Sequence, residues 1–359
     1  MKLLIILLAF TCVVCAEKWP RLIQWNETGP AIWMTEQELM ERRAKINTWP
    51  TGFQDITDTP HLKEGIAKRS VIPEQPVLQH IVEPLLPRMT ASNIEAYITT
   101  LENYHTRYYT TQTGKESAEW IRDKFVEFGA GNSAIEVELF EHSWAQPSVI
   151  CRWKGEDDER VILGAHEDSI AGAANSRAPG ADDDGSGIAQ LFEIFRVLVA
   201  YGEQSGFRPK HTVEFHAYAA EEAGLRGARA IADDYKSKGI TVKAMVQAEV
   251  SGYVGNSRTI AILDDTYTNS ALNSFMAEDA KTYAGIDTRF QRCNYGCSDH
   301  YAWAEAGYDV ACTGEAGPSG GANPYMHTSN DLLIHLDSSY ILEFAKMNLG
   351  YVVEISMHA

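Results

Sequence analysis

Apolar positions along the chain recur with two periods, and the switches between them mark out the elements. Ile94, Tyr97, Ile98 and Leu101 fall at helical spacing behind Ser92 and Glu95, which read as a capping box. A second helix is predicted over 116–128. Ile135, Val137 and Leu139 then alternate with polar residues, as on a half-buried strand. Strands are predicted over 148–153 and 160–165, and an apolar helix over 188–200 carries Ile188, Leu191, Phe192, Phe195 and Val199 on one stripe. Buried strands over 213–217 and 244–250 flank a helix over 225–235. Short strands over 260–263 and 309–312 and a C-terminal helix over 340–357 complete the pattern. Strands alternating with helices predict an α/β fold: three αβα layers, with a central mixed, mostly parallel twisted sheet and helices on both faces.

The N-terminus breaks this pattern. Lys2 precedes an apolar run over 3–14, and Val14-Cys15-Ala16 suits a signal peptidase, so residues 1–16 read as a secretory signal peptide. No later apolar stretch reaches the length of a membrane span. Residues 17–76 read as a prosegment, with cleavage near Lys68-Arg69, and 77–359 as the main α/β domain, entered through Pro73, Pro76, Pro84 and Pro87. Charge supports that boundary. Residues 17–69 carry eight acids and eight bases, whereas residue 70 onward carries 41 acids against 22 bases. Thr35 and Glu38 form a capping box in the segment. Its tryptophans, Trp19, Trp25, Trp33 and Trp49, are expected to pack on the domain that follows, because four exposed indoles would make a large apolar patch. Asn26-Glu27-Thr28, the one acceptor for N-linked glycan, also lies there.

Loss of residues 1–16 would take Cys12 and Cys15 away. In an oxidising compartment Cys293 and Cys297 read as a local disulfide, and Cys151 and Cys312 as buried thiols whose pairing the sequence leaves open. The net charge of −18 argues against nucleic acid or an anionic membrane as partner.

Candidate chemistry clusters where strands end, which is where open α/β sheets hold ligands. His166 and Asp168 follow one predicted strand, Glu221 and Glu222 another, and Glu249 a third. Gly180-Ala-Asp-Asp-Asp-Gly-Ser-Gly187 leads into the apolar helix, and His327 sits in the loop 323–330. Taken singly, such residues are ordinary: an Asp run before a helix caps it, and paired glutamates face water. Gathered at one pole, so many carboxylates are costly unless cations neutralise them. Two imidazoles with three carboxylates suit zinc.

The strings GAHEDS, APGADDDGSGIA, AYAAEEAGLRGA, CNYGCSDH and PYMHTSND, in this order over residues 77–357, resemble the secreted dizinc leucyl-type aminopeptidases of bacteria and fungi. MTEQEL and FQDITDTP resemble the prosegment of the fungal enzymes. The resemblance implies two zinc ions per chain. His166 and Asp183 would hold one, with Asp183 bridging to a second completed by Glu222 and His327. Glu221 would be the general base, Asp168 would orient His166, and Tyr295 would help hold the carbonyl oxygen. Two cations would acidify a bridging water and polarise the scissile carbonyl. The implied substrates are peptides with a free N-terminus and a large apolar first residue such as leucine, met by a pocket of Val250, Cys312 and Met326. The prosegment would be the intramolecular partner of a secreted monomer.

Glu249 departs from the family, which usually places Asp there, and either still binds the zinc shared with His166 or weakens that site. Three other readings compete: a single-zinc glutaminyl cyclase of the same fold, a carboxypeptidase using Arg226 or Arg292, and a binding protein that has lost its metal.

Overall fold

The computed structural model describes residues 19–25, 29–43, 45, 53–57, 71–293, 295–315 and 322–358. The expected signal peptide, Trp49, the Asn26 acceptor site and the dibasic pair at 68–69 lie outside these described residues.

The N-terminal segment builds its own small sheet. Strands β1 (Arg21–Gln24), β2 (Ile32–Met34) and β3 (Gln54–Asp55) pair antiparallel in the order β2-β1-β3, with helix α1 (Glu36–Arg43) between the last two in sequence. Ile23, Met34, Leu39 and Phe53 form its core, and Trp19 and Trp25 pack on that core. For Trp19, Trp25 and Trp33 the expected packing on the next domain is therefore corrected. A local apolar face takes two of the indoles, and Trp33 stands 58 % exposed on edge strand β2. The capping box does open α1: Thr35 N donates to Glu38 Oε2 at 2.8 Å and Glu38 N to Thr35 Oγ1 at 3.3 Å. Arg42 and Arg43 close the helix, where its dipole favours cations.

Helices α2 (Gln79–Val82), α3 (Ala91–Glu102) and α4 (Gln112–Phe128) lead to the main sheet. Its strands in chain order are β4 (Ile135–Phe140), β5 (Ser148–Trp153), β6 (Asp157–His166), β7 (His211–Tyr218), β8 (Val242–Ala248), β9 (Ile260–Leu263), β10 (Thr288–Gln291) and β11 (Val310–Gly314). They lie in the order β10-β9-β11-β8-β6-β7-β5-β4. Four of the seven ladders are parallel, including both that flank β6. The other three, toward the edges, are antiparallel. The remaining helices are α5 (Gly185–Ser205), α6 (Arg226–Lys238), α7 (Ser270–Asp279), α8 (His300–Ala306) and α9 (Ser338–Met357). α3, α4, α5 and α9 cover one face of the sheet, and α6 and α8 the other.

Several boundaries move from their sequence positions, and two of the shifts change what a residue does. Thr90, not Ser92, caps α3: it is the last extended residue, and its Oγ1 accepts from Asn93 N at 3.4 Å. Glu95 instead accepts the Ser338 hydroxyl at 2.7 Å. Strand β8 stops at Ala248, so Glu249 and Val250 leave the sheet at its C-terminal end. No described helix is long and apolar enough to cross a membrane.

The heart of the larger core is an aromatic stack. Phe125 of α4 meets Phe192 and Phe195 of α5 at ring distances of 5.0 and 5.4 Å, and Phe215 of β7 at 6.3 Å. All four rings are fully buried. Replacement Phe125→Ala should cost about 3–5 kcal/mol of stability, by lost transfer energy plus a cavity. The urea unfolding midpoint checks this; an unchanged midpoint would show that the stack is not a stabilising element.

Candidate metal centre

The parallel core of the sheet places its C-terminal ends side by side in the order β8-β6-β7. β6 ends on His166, with Asp168 two residues on. β7 runs out into Ala219, Ala220, Glu221 and Glu222, and β8 into Glu249. The sheet thus gathers residues from chain positions 166 to 249 at one pole. α5 adds the aspartates at its start, and the loop before α9 adds His327.

Three adjacent aspartates do three jobs. Asp184 caps α5, accepting from Gly187 N at 3.0 Å, and its other oxygen takes the His166 backbone N–H at 3.1 Å. A Cβ at Gly187 would come within 2.5 Å of both Asp184 oxygens and 2.6 Å of the Ala248 carbonyl, so only glycine lets the helix start sit this close to β8. Asp182 accepts from Gly252 N and from Asn323 Nδ2, each at 2.7 Å, tying two loops together. Between them Asp183 faces the pole. Its Oδ1 lies 3.0 Å from His166 Nε2 and its Oδ2 2.8 Å from His327 Nε2. Asp331 steadies the turn by accepting from the backbone N–H groups of Asp182 and Asp183, both at 3.1 Å.

Asp168 uses its carboxylate on the neighbouring loop, accepting from Glu221 N at 2.9 Å and Glu222 N at 3.1 Å. Its carbonyl oxygen lies 3.1 Å from His166 Nδ1 and its Oδ1 3.6 Å away, so both ends of the residue face the imidazole it was expected to orient. Glu249 Oε1 stands 3.5 Å from His166 Nε2, while its Oε2 accepts from Ser298 Oγ at 2.5 Å and Gln247 Nε2 at 3.3 Å. Glu222 Oε1 stands 3.1 Å from His327 Nε2 and, although buried, has no hydrogen-bond partner. Ala220 and His327 adopt left-handed backbone with φ of 57° each, a conformation that costs a non-glycine residue about 1–3 kcal/mol.

These ligand atoms fall into two groups sharing Asp183: His166–Asp183–Glu249 and Asp183–Glu222–His327, each with its donor atoms within 4.8 Å of one another. The electrostatics fit a cation. Burial pushes the Asp183 carboxyl up, but His327 and His166 outweigh it and hold the group well below the usual carboxylate range. Burial pushes His327 down, yet Glu222 and Asp183 lift it to about 9. A field that draws protons onto imidazoles also draws divalent ions. The donor set of two imidazoles and three carboxylates suits zinc.

One cavity opens on both groups. Glu221, Tyr295, Val250, Cys312 and Met326 line it, as do Cys293 and Cys297, which form a disulfide. Cys151 and Cys312 are buried thiols. Burial, with the charges of Glu222, Asp299 and Glu249 behind it and His166 opposing, holds the Glu221 carboxyl well above the usual range. Neither arginine weighed for a carboxypeptidase lines the cavity. Arg226 is stacked on Trp144, 4.3 Å from the ring centroid, and exposed Arg292 donates to the Asp264 carbonyl at 3.1 Å.

The model of peptidase family M28 matches residues 148–352. The chain belongs to this family. A leucine aminopeptidase 1 of Sclerotinia sclerotiorum is 35% identical over 348 residues, covering 92% of this chain and 88% of that one. The LapA aminopeptidase of Legionella pneumophila superposes with a TM-score of 0.82 at 26% identity, covering 97% of each chain. A glutaminyl cyclase of Bacteroides thetaiotaomicron, 18% identical with a TM-score of 0.59 over 74% of this chain and 98% of that one, shares the fold. The M28 chain is a zinc-dependent aminopeptidase, a hydrolase whose substrates are peptides.

Sequence reasoning passed over three residues of the M28 site. Ser298 stood in the string CNYGCSDH and Asp331 in PYMHTSND, but nothing in either string says which oxygen a hydroxyl or which amide a carboxylate will meet. The third, Arg43, lies in the N-terminal segment and reaches Glu222 and His327, with no motif to announce it. Because Asp183 alone among the three aspartates faces both groups, Asp183→Ala should lower zinc bound at both, whereas Asp184→Asn should keep zinc and lose only stability. Metal analysis of the two variants checks this; full zinc content in Asp183→Ala would remove Asp183 as the shared ligand.

Proposed function

We propose that this chain is a secreted aminopeptidase that releases large apolar N-terminal residues such as leucine and holds two zinc ions, one in each of the groups that share Asp183. The observation that carries this reading is the split of one carboxylate between two imidazoles, Oδ1 toward His166 and Oδ2 toward His327. Glu249 completes the first group despite its extra methylene, since Ser298 and Gln247 hold Oε2 back and leave Oε1 for the cluster. Glu222 completes the second through Oε1, which faces His327 Nε2 at 3.1 Å.

Bound zinc would supply Lewis acidity, polarising the scissile carbonyl and making water a stronger acid. Glu221 takes the proton of the attacking water and returns it to the leaving amine. Burial and its acidic neighbours raise this carboxyl above the usual carboxylate range, which makes it a stronger proton acceptor than a solvated glutamate. Asp168 positions that carboxylate by holding the Glu221 and Glu222 amides, and also faces His166. Tyr295, on the disulfide-closed turn, helps hold the carbonyl oxygen. The carboxylates at the pole receive the free α-ammonium of the peptide. Val250, Cys312 and Met326 receive its side chain, with Leu225 and Leu263 beside them. The name of the fungal relative, leucine aminopeptidase 1, supports an apolar first residue.

The run at 1–16 supports secretion, and the disulfide suits an oxidising compartment. Residues 17–76 act as a prosegment removed near 69, carrying the single glycan acceptor, and 77–359 as the catalytic domain of a monomer. The first amino acid of the secreted mature protein tests this division: a mature form that still begins at Glu17 would exclude removal of the segment.

Glu221→Gln should lower kcat by roughly 10²–10⁴ while zinc content stays at the wild-type level. Leucyl- and glutaminyl-anilide substrates, assayed with and without chelator, complete the test. Wild-type turnover in the variant would take Glu221 out of the mechanism, and chelator-resistant hydrolysis would overturn the metal reading.

A further inference from the structure

Arg43, the last residue of α1, sends its side chain into the catalytic pole. Nη1 donates to the Glu222 carbonyl oxygen at 2.6 Å, and Nη2 forms an ion pair with Glu222 Oε2. Nη2 also lies 3.2 Å from His327 Nε2 and 3.3 Å from Nδ1. The pair is shielded from water, with side-chain exposures of 9% for Arg43 and 3% for Glu222. Arg43 is the one arginine or lysine lining the cavity among the described residues.

The segment that carries Arg43 grips the same region at further points. Phe53 lines the cavity and lies under the guanidinium, 6.0 Å from Cζ to ring centroid. Asp55 N donates to the Gly224 carbonyl at 3.4 Å, and Asp55 Oδ2 stands 3.7 Å from Arg226 Nε. The guanidinium is thus delivered by a folded unit fixed on the loop 221–226, not by a loose chain end.

Glu222 has one negative charge to share. Its Oε2 is neutralised by Arg43, while its Oε1 faces Asp183 and His327. A divalent ion in that group would bind a carboxylate already paired with a cation and would stand beside the guanidinium in a water-poor pocket, where like charges repel strongly. We propose that Arg43 is an electrostatic latch: docking of the segment that carries α1, Phe53 and Asp55 and filling of the Asp183–Glu222–His327 group by zinc oppose each other, so that metal loading loosens the segment and the docked segment weakens the metal. This rests on the reading of those three residues as a zinc group. Thermodynamic linkage makes the effect reciprocal: whatever factor the latch takes from zinc affinity, zinc takes from docking.

The test uses the full chain with its segment in place. Zinc is set by chelator buffers, and bound zinc is measured by equilibrium dialysis for wild type, R43A and R43K. The weaker zinc should bind roughly 5–150-fold more tightly to R43A, the usual span of a coupling between sites, and R43K, which keeps the charge, should stay near wild type. In the wild-type chain, zinc should raise amide exchange in Glu36–Arg43 by a similar factor, a measurement that needs no variant to fold. Unchanged zinc affinity in R43A, or exchange that zinc leaves as it was, overturns the latch. Zinc that binds no variant at all overturns the metal reading beneath it as well.

Discussion

Negative charge crowded into a dry pole is the condition that organises this molecule. Asp168, Asp183, Glu221, Glu222 and Glu249 converge there, and Asp168, Asp183 and Glu222 are almost wholly buried. Such a cluster would be ruinous if every oxygen had to find its own cation. The fold divides the load. Carboxylates that serve the architecture are answered by backbone amides: two for Asp168, two for Asp331, and an amide at each oxygen of Asp184. Carboxylates that serve the chemistry are left short of donors. Asp183 meets only imidazoles, and Glu222 Oε1 faces His327 Nε2 at 3.1 Å. What faces the cavity is a pair of donor groups that share Asp183, the arrangement a pair of divalent ions would use.

This division explains why a run of three aspartates gives one ligand. A helix start needs a capping oxygen, so the residue just before the helix, Asp184, turns inward to its own backbone. Its neighbours must point elsewhere. Asp182 is drawn to the amides of Ser251 and Gly252, and Asp183 is left facing the pole. The left-handed backbone at Ala220 and His327 belongs to the same logic. Two strained residues, one before the glutamate pair and one at the histidine itself, are tolerable where the surrounding packing fixes them and the position of a side chain matters more than local comfort.

The main sheet was legible because its strands are apolar and its helices periodic. Ile260–Leu263 and Ser148–Trp153 stand where alternation and apolar runs put them. Elements with weak patterns were not legible. β10 reads TRFQ and is hardly buried, and α8 is a seven-residue helix between a disulfide turn and a glycine. The convergence of the two candidate groups was legible because strand ends are where open α/β sheets gather such residues, and the family resemblance then pointed to Asp183. Tertiary partners were not. Trp25 finds Phe53 across a small sheet whose strands are two to four residues long, too short to announce themselves. Arg43 ends an ordinary charged helix and meets Glu222 from 179 positions away. Sequence shows which residues can bear charge; only the fold shows which charges meet.

The disulfide gains a chemical meaning in this light. Cys293 and Cys297 close a turn that holds Tyr295 and delivers Ser298 just beyond it. That turn has little core of its own: Leu263, Tyr295, Cys312 and the two half-cystines are its apolar cluster. Ser298 then donates to Glu249 Oε2, the oxygen that must be occupied if the longer side chain is to present Oε1 toward His166. A covalent tie therefore stands behind one carboxylate of the pole. Glu249 reaches the cluster through a side chain whose other oxygen is held by Ser298 and Gln247. The same oxidising conditions that close the turn thus help to set the geometry of a group that itself takes no part in redox chemistry.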